Sequence, residues 1–364
     1  MPAPNALRRP DRRLGPASRP FLHDLPAPGW ALPPEVNARL DVVMRGAVTE
    51  VAGPLGEPLI RVIGAGGKRL RPALTMAIAA IGGRTPEDPG VLELAAAVEL
   101  LHCATLVHDD LIDGGLTRRG VVTISAQEGS AAAVVGGDLL IAAASGLACG
   151  VSRKAGVIVA QTLAALCRGE AVQDQARYDA STSVDLLVEV ARLKTGRLFQ
   201  AACSLGAQVF DAGPDLSAAV AAYGMDLGIC FQLVDDLLDV VADPALIGKP
   251  VGADFASGTL TLPIALAIRE FPELGALLRA DLNPVSRGRA MNLLQNADAA
   301  LAATADTARA YAHEAGTHLR SAAGGQGPAE QLTGWPMTYL TSQLQTKVGE
   351  QHRWLAAQLM SGAA

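Results

Sequence analysis

Beyond residue 33 the chain is a series of apolar stretches set off by glycine and proline, and their periodicity is helical. In Glu35–Val51 the apolar positions Val36, Leu40, Val43, Ala47 and Val51 recur every three or four residues, and Pro54 closes the segment. That pattern predicts an amphipathic helix. Longer apolar runs predict helices over 91–113, 130–149, 154–178, Val184–Ala207 and Leu216–Val241, and Ala-rich helix over 285–320 and 333–360 brackets a Gly-rich linker, Ala322–Pro328. Alternation with a period of two, the mark of a half-buried strand, is absent. The expectation is an all-α bundle of roughly ten or more helices. Residues 1–33 are rich in proline and arginine without apolar periodicity, so they predict a flexible arm ahead of one helical domain over 34–364.

Composition narrows the picture. Half of the residues are hydrophobic but only 4% are aromatic, so the helices are expected to pack closely through small side chains. A net charge of −6 leaves no basic footprint for nucleic acid. Cys103, Cys149, Cys167, Cys203 and Cys230 stand singly in apolar segments, which fits the reduced thiols of a cytoplasmic protein. No run reads as a transmembrane segment, because the strongest, Ala131–Cys149, is interrupted by Asp138 and several glycines. The arm also lacks the apolar core of a signal peptide.

The chemistry collects where the apolar run Leu100–Val107 ends in Asp109, Asp110 and Asp113. Asp109 and Asp113 are four residues apart, hence on one helix face roughly 5–6 Å from each other. Such a pair repels itself unless a cation lies between, and Mg2+ favours one or two carboxylates together with substrate phosphates. The same arrangement returns 126 residues later as Asp235, Asp236 and Asp239, again behind an apolar run. Two copies imply facing helix ends that share a polyanion through metal ions.

Cations accompany them. Gly66-Gly67-Lys68-Arg69-Leu70-Arg71-Pro72 joins free backbone amides to charges that can converge on an anion such as a diphosphate at a helix start. Arg118-Arg119-Gly120 places two diverging forks just past Asp113. Lys194-Thr195-Gly196 puts a lysine in an apolar helix where it needs an anion, with Gly196 suited to close approach of substrate to the backbone. Three of the five lysines, Lys68, Lys194 and Lys249, fall in such motifs. Glu170 and Gln173 in Gly169-Glu170-Ala171-Val172-Gln173 are as well suited to structural hydrogen bonds as to catalysis.

In this order the motifs G-G-K-R-x-R-P, D-D-x-x-D followed by R-R-G, G-E-x-x-Q, K-T-G, F-Q-x-x-D-D-x-x-D and G-K-x-x-G-x-D span about residues 64–265, and the chain resembles the trans-isoprenyl diphosphate synthases. The resemblance implies the isoprenoid synthase fold, with helices around a central cavity, and a head-to-tail prenyltransferase. It would condense isopentenyl diphosphate with an allylic diphosphate to a product of C20 or longer. It implies about three Mg2+ ions per active site, held by Asp109, Asp113, Asp235 and Asp239, with Asp110 and Asp236 in support. By the same likeness Arg118, Lys194 and Lys249 neutralise the allylic diphosphate, Lys68, Arg71, His102 and Arg119 hold isopentenyl diphosphate, and Thr195 and Gln232 line the path of the carbocation. Homodimerisation is implied as well.

One position departs from the family: Thr259 stands where a lysine is common. Ala104 and Thr105, one turn before Asp109, are small where short-chain members carry an aromatic floor, and Leu101, Met76 and Ala79 are candidates to close a deeper tunnel. The alternatives are a class I terpene cyclase, which needs no second diphosphate site, and an inactive partner subunit of a heteromeric synthase, which would have lost carboxylates.

Overall fold

The structure, a computed structural model, describes residues 32–361 apart from 249, 281 and 324–326. The expected arm and Lys249 therefore fall outside the described residues, except for Leu32 and Pro33. In chain order the first helices are α1 (Pro34–Val51), α2 (Gly56–Gly64), α3 (Leu70–Ile81), α4 (Val91–Ile112), α5 (Ile124–Glu128), α6 (Ser130–Val151), α7 (Arg153–Gln175), α8 (Val184–Ala191), α9 (Arg197–Gln208) and α10 (Pro214–Val241). The short α11 (Pro244–Ile247), α12 (Ala253–Ser257), α13 (Leu262–Glu270) and α14 (Glu273–Leu277) lead to α15 (Pro284–Gln295), α16 (Asp298–Ala323), α17 (Pro328–Lys347) and α18 (Trp354–Ser361). The all-α expectation is met.

The two carboxylate helices are the centre of the bundle. Helix α4 packs between α3 and α6, α10 packs between α9 and α16, and α9 touches both α3 and α10 and so joins the halves. Small residues set the spacing, as the composition predicts. A Cβ on Gly228 of α10 would lie 2.7 Å from the Gly196 Cα, and one on Gly196 would lie 2.6 Å from Met225 Sδ. Gly196 therefore serves helix packing, in place of the expected approach to substrate.

Two local departures bear on function. The single helix expected over Val184–Ala207 is divided by a π-helical turn at Arg192–Gly196, and one extra residue in a helical turn is a feature often found at functional sites. This turn carries Lys194 and Thr195. The chain after Asp113 also forms a small antiparallel hairpin, β1 (Thr117–Arg118) with β2 (Val121–Val122), which sequence alternation did not announce because each strand has two residues. Its turn residues Arg119 and Gly120 both have positive φ (51° and 77°), the requirement of a tight two-residue hairpin turn.

By length and composition four helices could cross a membrane, α4, α6, α7 and α10, which corrects the expectation that none qualifies. Asp138 and the glycines do not lower the apolar average of α6 enough to exclude it. In the apolar windows of α4 and α10, 72% and 56% of residues are buried within the protein, against 33% in α6 and α7.

Arg69 ties the glycine loop to this frame. It adopts a left-handed conformation (φ 46°) just before α3, and its buried guanidinium donates to Glu99 Oε1 at 2.9 Å, Asp41 Oδ1 at 3.1 Å and the Ile63 carbonyl at 2.5 Å. Removing one partner of a buried pair strands the other charge. Arg69→Ala is expected to lower the unfolding free energy by about 3–5 kcal/mol in urea denaturation, and Arg69→Met combined with Glu99→Leu by much less.

Candidate active site

Both carboxylate motifs open into one cavity of about 1050 Å3. Helix α4 contributes His102, Thr105 and Asp109, its C-cap contributes Asp113, and α10 contributes Phe231, Gln232, Asp235 and Asp236. Lys194 and Thr195 of the π-helical turn face the same space, as do Lys68, Arg71 and Arg119 from the glycine loop, α3 and the hairpin turn.

The carboxylates differ in their partners. Asp109 has its pKa pushed up to about 6, chiefly by burial, with Glu170 and Asp113 raising it and Lys194 and Arg118 opposing them. Asp236 is raised well above the usual carboxylate range by burial and by Asp254, although it accepts a 2.7 Å hydrogen bond from Gln232 Nε2. Asp113, which caps the C-terminus of α4, accepts from Arg177 Nη2 at 2.9 Å. Asp110 turns away from the cavity and accepts from Arg118 Nε at 2.6 Å, so Arg118 also lies off the cavity wall. Asp239, expected among the metal ligands, is placed differently from Asp109, Asp113 and Asp235. It is absent from the cavity wall, and its carboxylate accepts from the backbone amides of Ala253 (3.3 Å) and Asp254 (3.0 Å), fixing the loop that starts α12.

At the other end the charge is positive. Burial, with Arg119 beside it, lowers the pKa of Arg71 to about 10 against the pull of Glu99, and its guanidinium lies 4.9 Å from the centre of the Phe199 ring. Arg71 Nε is buried without a hydrogen-bond partner. The Arg119 guanidinium reaches the Gly66 carbonyl over Gly67, where a Cβ would lie 2.5 Å from Nη1. Burial and these arginines push His102 well below the usual imidazole range, so it is neutral at pH 7. A group of cations left in mutual repulsion is prepared for an anion.

Between the two ends run polar and aromatic groups. Thr195 Oγ1 donates to Gln232 Oε1 at 2.5 Å, and Lys194 pairs with Glu170. Phe199, Phe231, Tyr339 and Trp335 form a row with successive ring centroids 5.1, 5.1 and 5.5 Å apart. Trp335, Tyr339, Gln343 and Lys347 recur every four residues on α17 and all line the cavity. Sequence reading singled out none of these four; the four-residue polar and aromatic stripe was the available signal. Arg177 was also missed, since no motif around it marks it.

The donor set fits a hard divalent cation. All the candidate ligands are carboxylate oxygens, and the half-buried Asp109 carboxyl is raised by desolvation and by Glu170 and Asp113 beside it. Among the described residues no three His, Cys, Asp or Glu side chains come together as a group that could hold a metal ion by themselves. Mg2+ meets that condition well, because it takes one or two carboxylates and completes its octahedron from water and substrate phosphate.

Comparison with known proteins agrees with this geometry. The polyprenyl synthetase family model matches residues 53–295. The chain is 35% identical over 221 residues to a prenyl transferase of Porphyra purpurea, covering 60% of this chain and 68% of that one. It is 34% identical over 246 residues to the nonaprenyl diphosphate synthase of Mycobacterium tuberculosis, covering 68% and 73%. Among solved structures it resembles a decaprenyl diphosphate synthase from Rhodobacter capsulatus (31% identity, TM-score 0.77, 85% of this chain and 96% of that one). It also resembles a polyprenyl synthase from Caulobacter crescentus complexed with calcium and isoprenyl diphosphate (33%, 0.76, 84% and 94%). The chain belongs to the polyprenyl synthetase family, the prenyltransferases that build polyprenyl diphosphates.

Proposed function

We propose that this enzyme joins isopentenyl diphosphate to an allylic diphosphate, head to tail, and repeats the step to a trans-polyprenyl diphosphate of C20 or longer. One observation carries the reading: a single cavity with carboxylates from two helices at one end and unneutralised cations at the other. Two polyanions fit it in different ways. Lys68, Arg71 and Arg119, with His102, hold isopentenyl diphosphate directly. Asp109, Asp113 and Asp235 hold Mg2+, which when bound supplies positive charge to the allylic diphosphate as it leaves.

The chain's own groups do the rest. Lys194 and Lys249 add charge at the leaving diphosphate, and Arg118, paired with Asp110 off the cavity wall, acts on it only at longer range. The allylic C1–O bond breaks with its electron pair going to that diphosphate, and the cation left at C1 lies beside the Thr195–Gln232 pair. The Thr195 hydroxyl donates to Gln232 Oε1 and the Gln232 amide nitrogen donates to Asp236, so the two oxygens are held as fixed negative dipoles that face the cation without reorganisation. The double bond of isopentenyl diphosphate then supplies the electrons of the new C–C bond, and the resulting cation loses a proton to the departed diphosphate. Phe231 and Tyr339 keep water from the cation.

The cyclase alternative leaves Lys68, Arg71 and Arg119 without a ligand, and the inactive-subunit alternative does not account for two complete carboxylate triplets. Exposed Val134, Val135 and Val157 on the sparsely buried α6 and α7 support a homodimer formed through these helices. The five cysteines are unpaired, which supports a cytoplasmic setting. Purified enzyme incubated with Mg2+, labelled isopentenyl diphosphate and farnesyl diphosphate is expected to yield one defined polyprenyl diphosphate by chromatography; hydrocarbon or alcohol without label would favour a cyclase.

Product length is read from the apolar wall. Thr105 and Leu106 of α4 and Leu187, Val190 and Leu198 of α8 and α9 border the cavity, whereas Ala104, Leu101, Met76 and Ala79 are sealed in the core. The growing tail therefore starts along Thr105, not along Ala104. Thr105→Phe is expected to shorten the product by at least one five-carbon unit. Ala104→Phe is expected instead to destabilise the fold by about 1–3 kcal/mol through overpacking, read as a lower unfolding midpoint.

A further inference from the structure

Among the described residues, the cations assigned to the carboxylate end are already paired. Lys194 is paired with Glu170, Arg118 is turned to Asp110, and Thr259, at the rim, is a buried hydroxyl bonded to Ser257 Oγ at 2.9 Å. Arg177, just past the end of α7, lines the cavity there with Nη2 2.9 Å from Asp113. The next residue fixes its place. Tyr178 has a left-handed backbone (φ 59°), its N–H donates to the Gly258 carbonyl at 2.9 Å, and its ring fills the space that a side chain on Gly258 (φ 74°) would occupy. A bulky aromatic residue with positive φ is a strained feature of the kind kept at functional sites. The Tyr178–Gly258 bond holds together the two segments that carry Arg177 and Thr259, each one residue from it and both lining the cavity.

We propose that Arg177 binds the diphosphate of the allylic substrate, supplying the charge that Thr259 does not, and that it leaves Asp113 free for the metal as it does so. This rests on the reading of the carboxylate end as the allylic site. The exchange is easy because the Asp113 side chain is 56% exposed, and an ion pair in that setting is weak. A guanidinium gains more from a diphosphate, whose oxygens accept both arms of its fork.

The test is calorimetric titration of the full-length enzyme, with Mg2+, by farnesyl thiodiphosphate, and separately by isopentenyl diphosphate. Arg177→Gln is expected to weaken the thiodiphosphate at least tenfold and isopentenyl diphosphate less than twofold. Arg177→Lys, or Arg177→Gln combined with Thr259→Lys, is expected to recover most of the loss. A thiodiphosphate affinity within twofold of the parent in Arg177→Gln, or an equal loss for both ligands, would overturn the inference. Failure of the parent enzyme to bind the thiodiphosphate at all would instead sink the assignment of the allylic site.

Discussion

Like charges set the terms of this structure. Two apolar helices at the centre of the bundle each end in aspartates, and Asp109 and Asp113 of one and Asp235 and Asp236 of the other look into one cavity. Burial removes the water that would screen them, so the carboxyl of Asp109 rises to about 6 and that of Asp236 rises well above the usual carboxylate range. Divalent cations would relieve the repulsion, and a polyanion would complete their coordination. The opposite end repeats the logic with reversed sign, since Arg71 is buried beside Arg119 and its pKa falls to about 10. The frame concentrates unfavourable charge of each sign, and ligands of the opposite sign relieve it.

The frame can hold this arrangement because its contacts elsewhere are close and specific. Gly196 and Gly228 let the π-helical turn meet α10 at backbone distance, which sets Thr195 against Gln232. Arg69, buried between Glu99 and Asp41, anchors the loop that carries Lys68 and Arg71. Asp239 uses its oxygens on the backbone of α12, and so orders the loop that places Asp254 near Asp236. Each of these groups acts on chemistry through the backbone it positions.

Much of this was legible in the residue pattern, for identifiable reasons. Helices α4 and α10 were readable because long apolar runs ending in charge have few other solutions, and the four-residue spacing put Asp109 and Asp113 on one face. The divergence of Arg118 and Arg119 was readable too, though not the hairpin that causes it. What the pattern does not disclose depends on contacts distant in sequence. Nothing local tells that Asp239 turns to backbone amides, that Gly196 meets α10, or that Arg177 reaches Asp113 across 64 positions. The α17 stripe, beyond the segment matched by the family model, gains meaning only when packing brings Tyr339 onto Phe231.

The central claim is that one cavity binds two diphosphates by different physics, directly at the cationic end and through metal at the carboxylate end. Calorimetry with and without Mg2+ tests it directly. The account predicts that isopentenyl diphosphate binds with nearly the same affinity in both conditions, and that an unreactive allylic thiodiphosphate binds only with Mg2+. Metal-independent binding of the thiodiphosphate, or an equal metal requirement for both ligands, would contradict it.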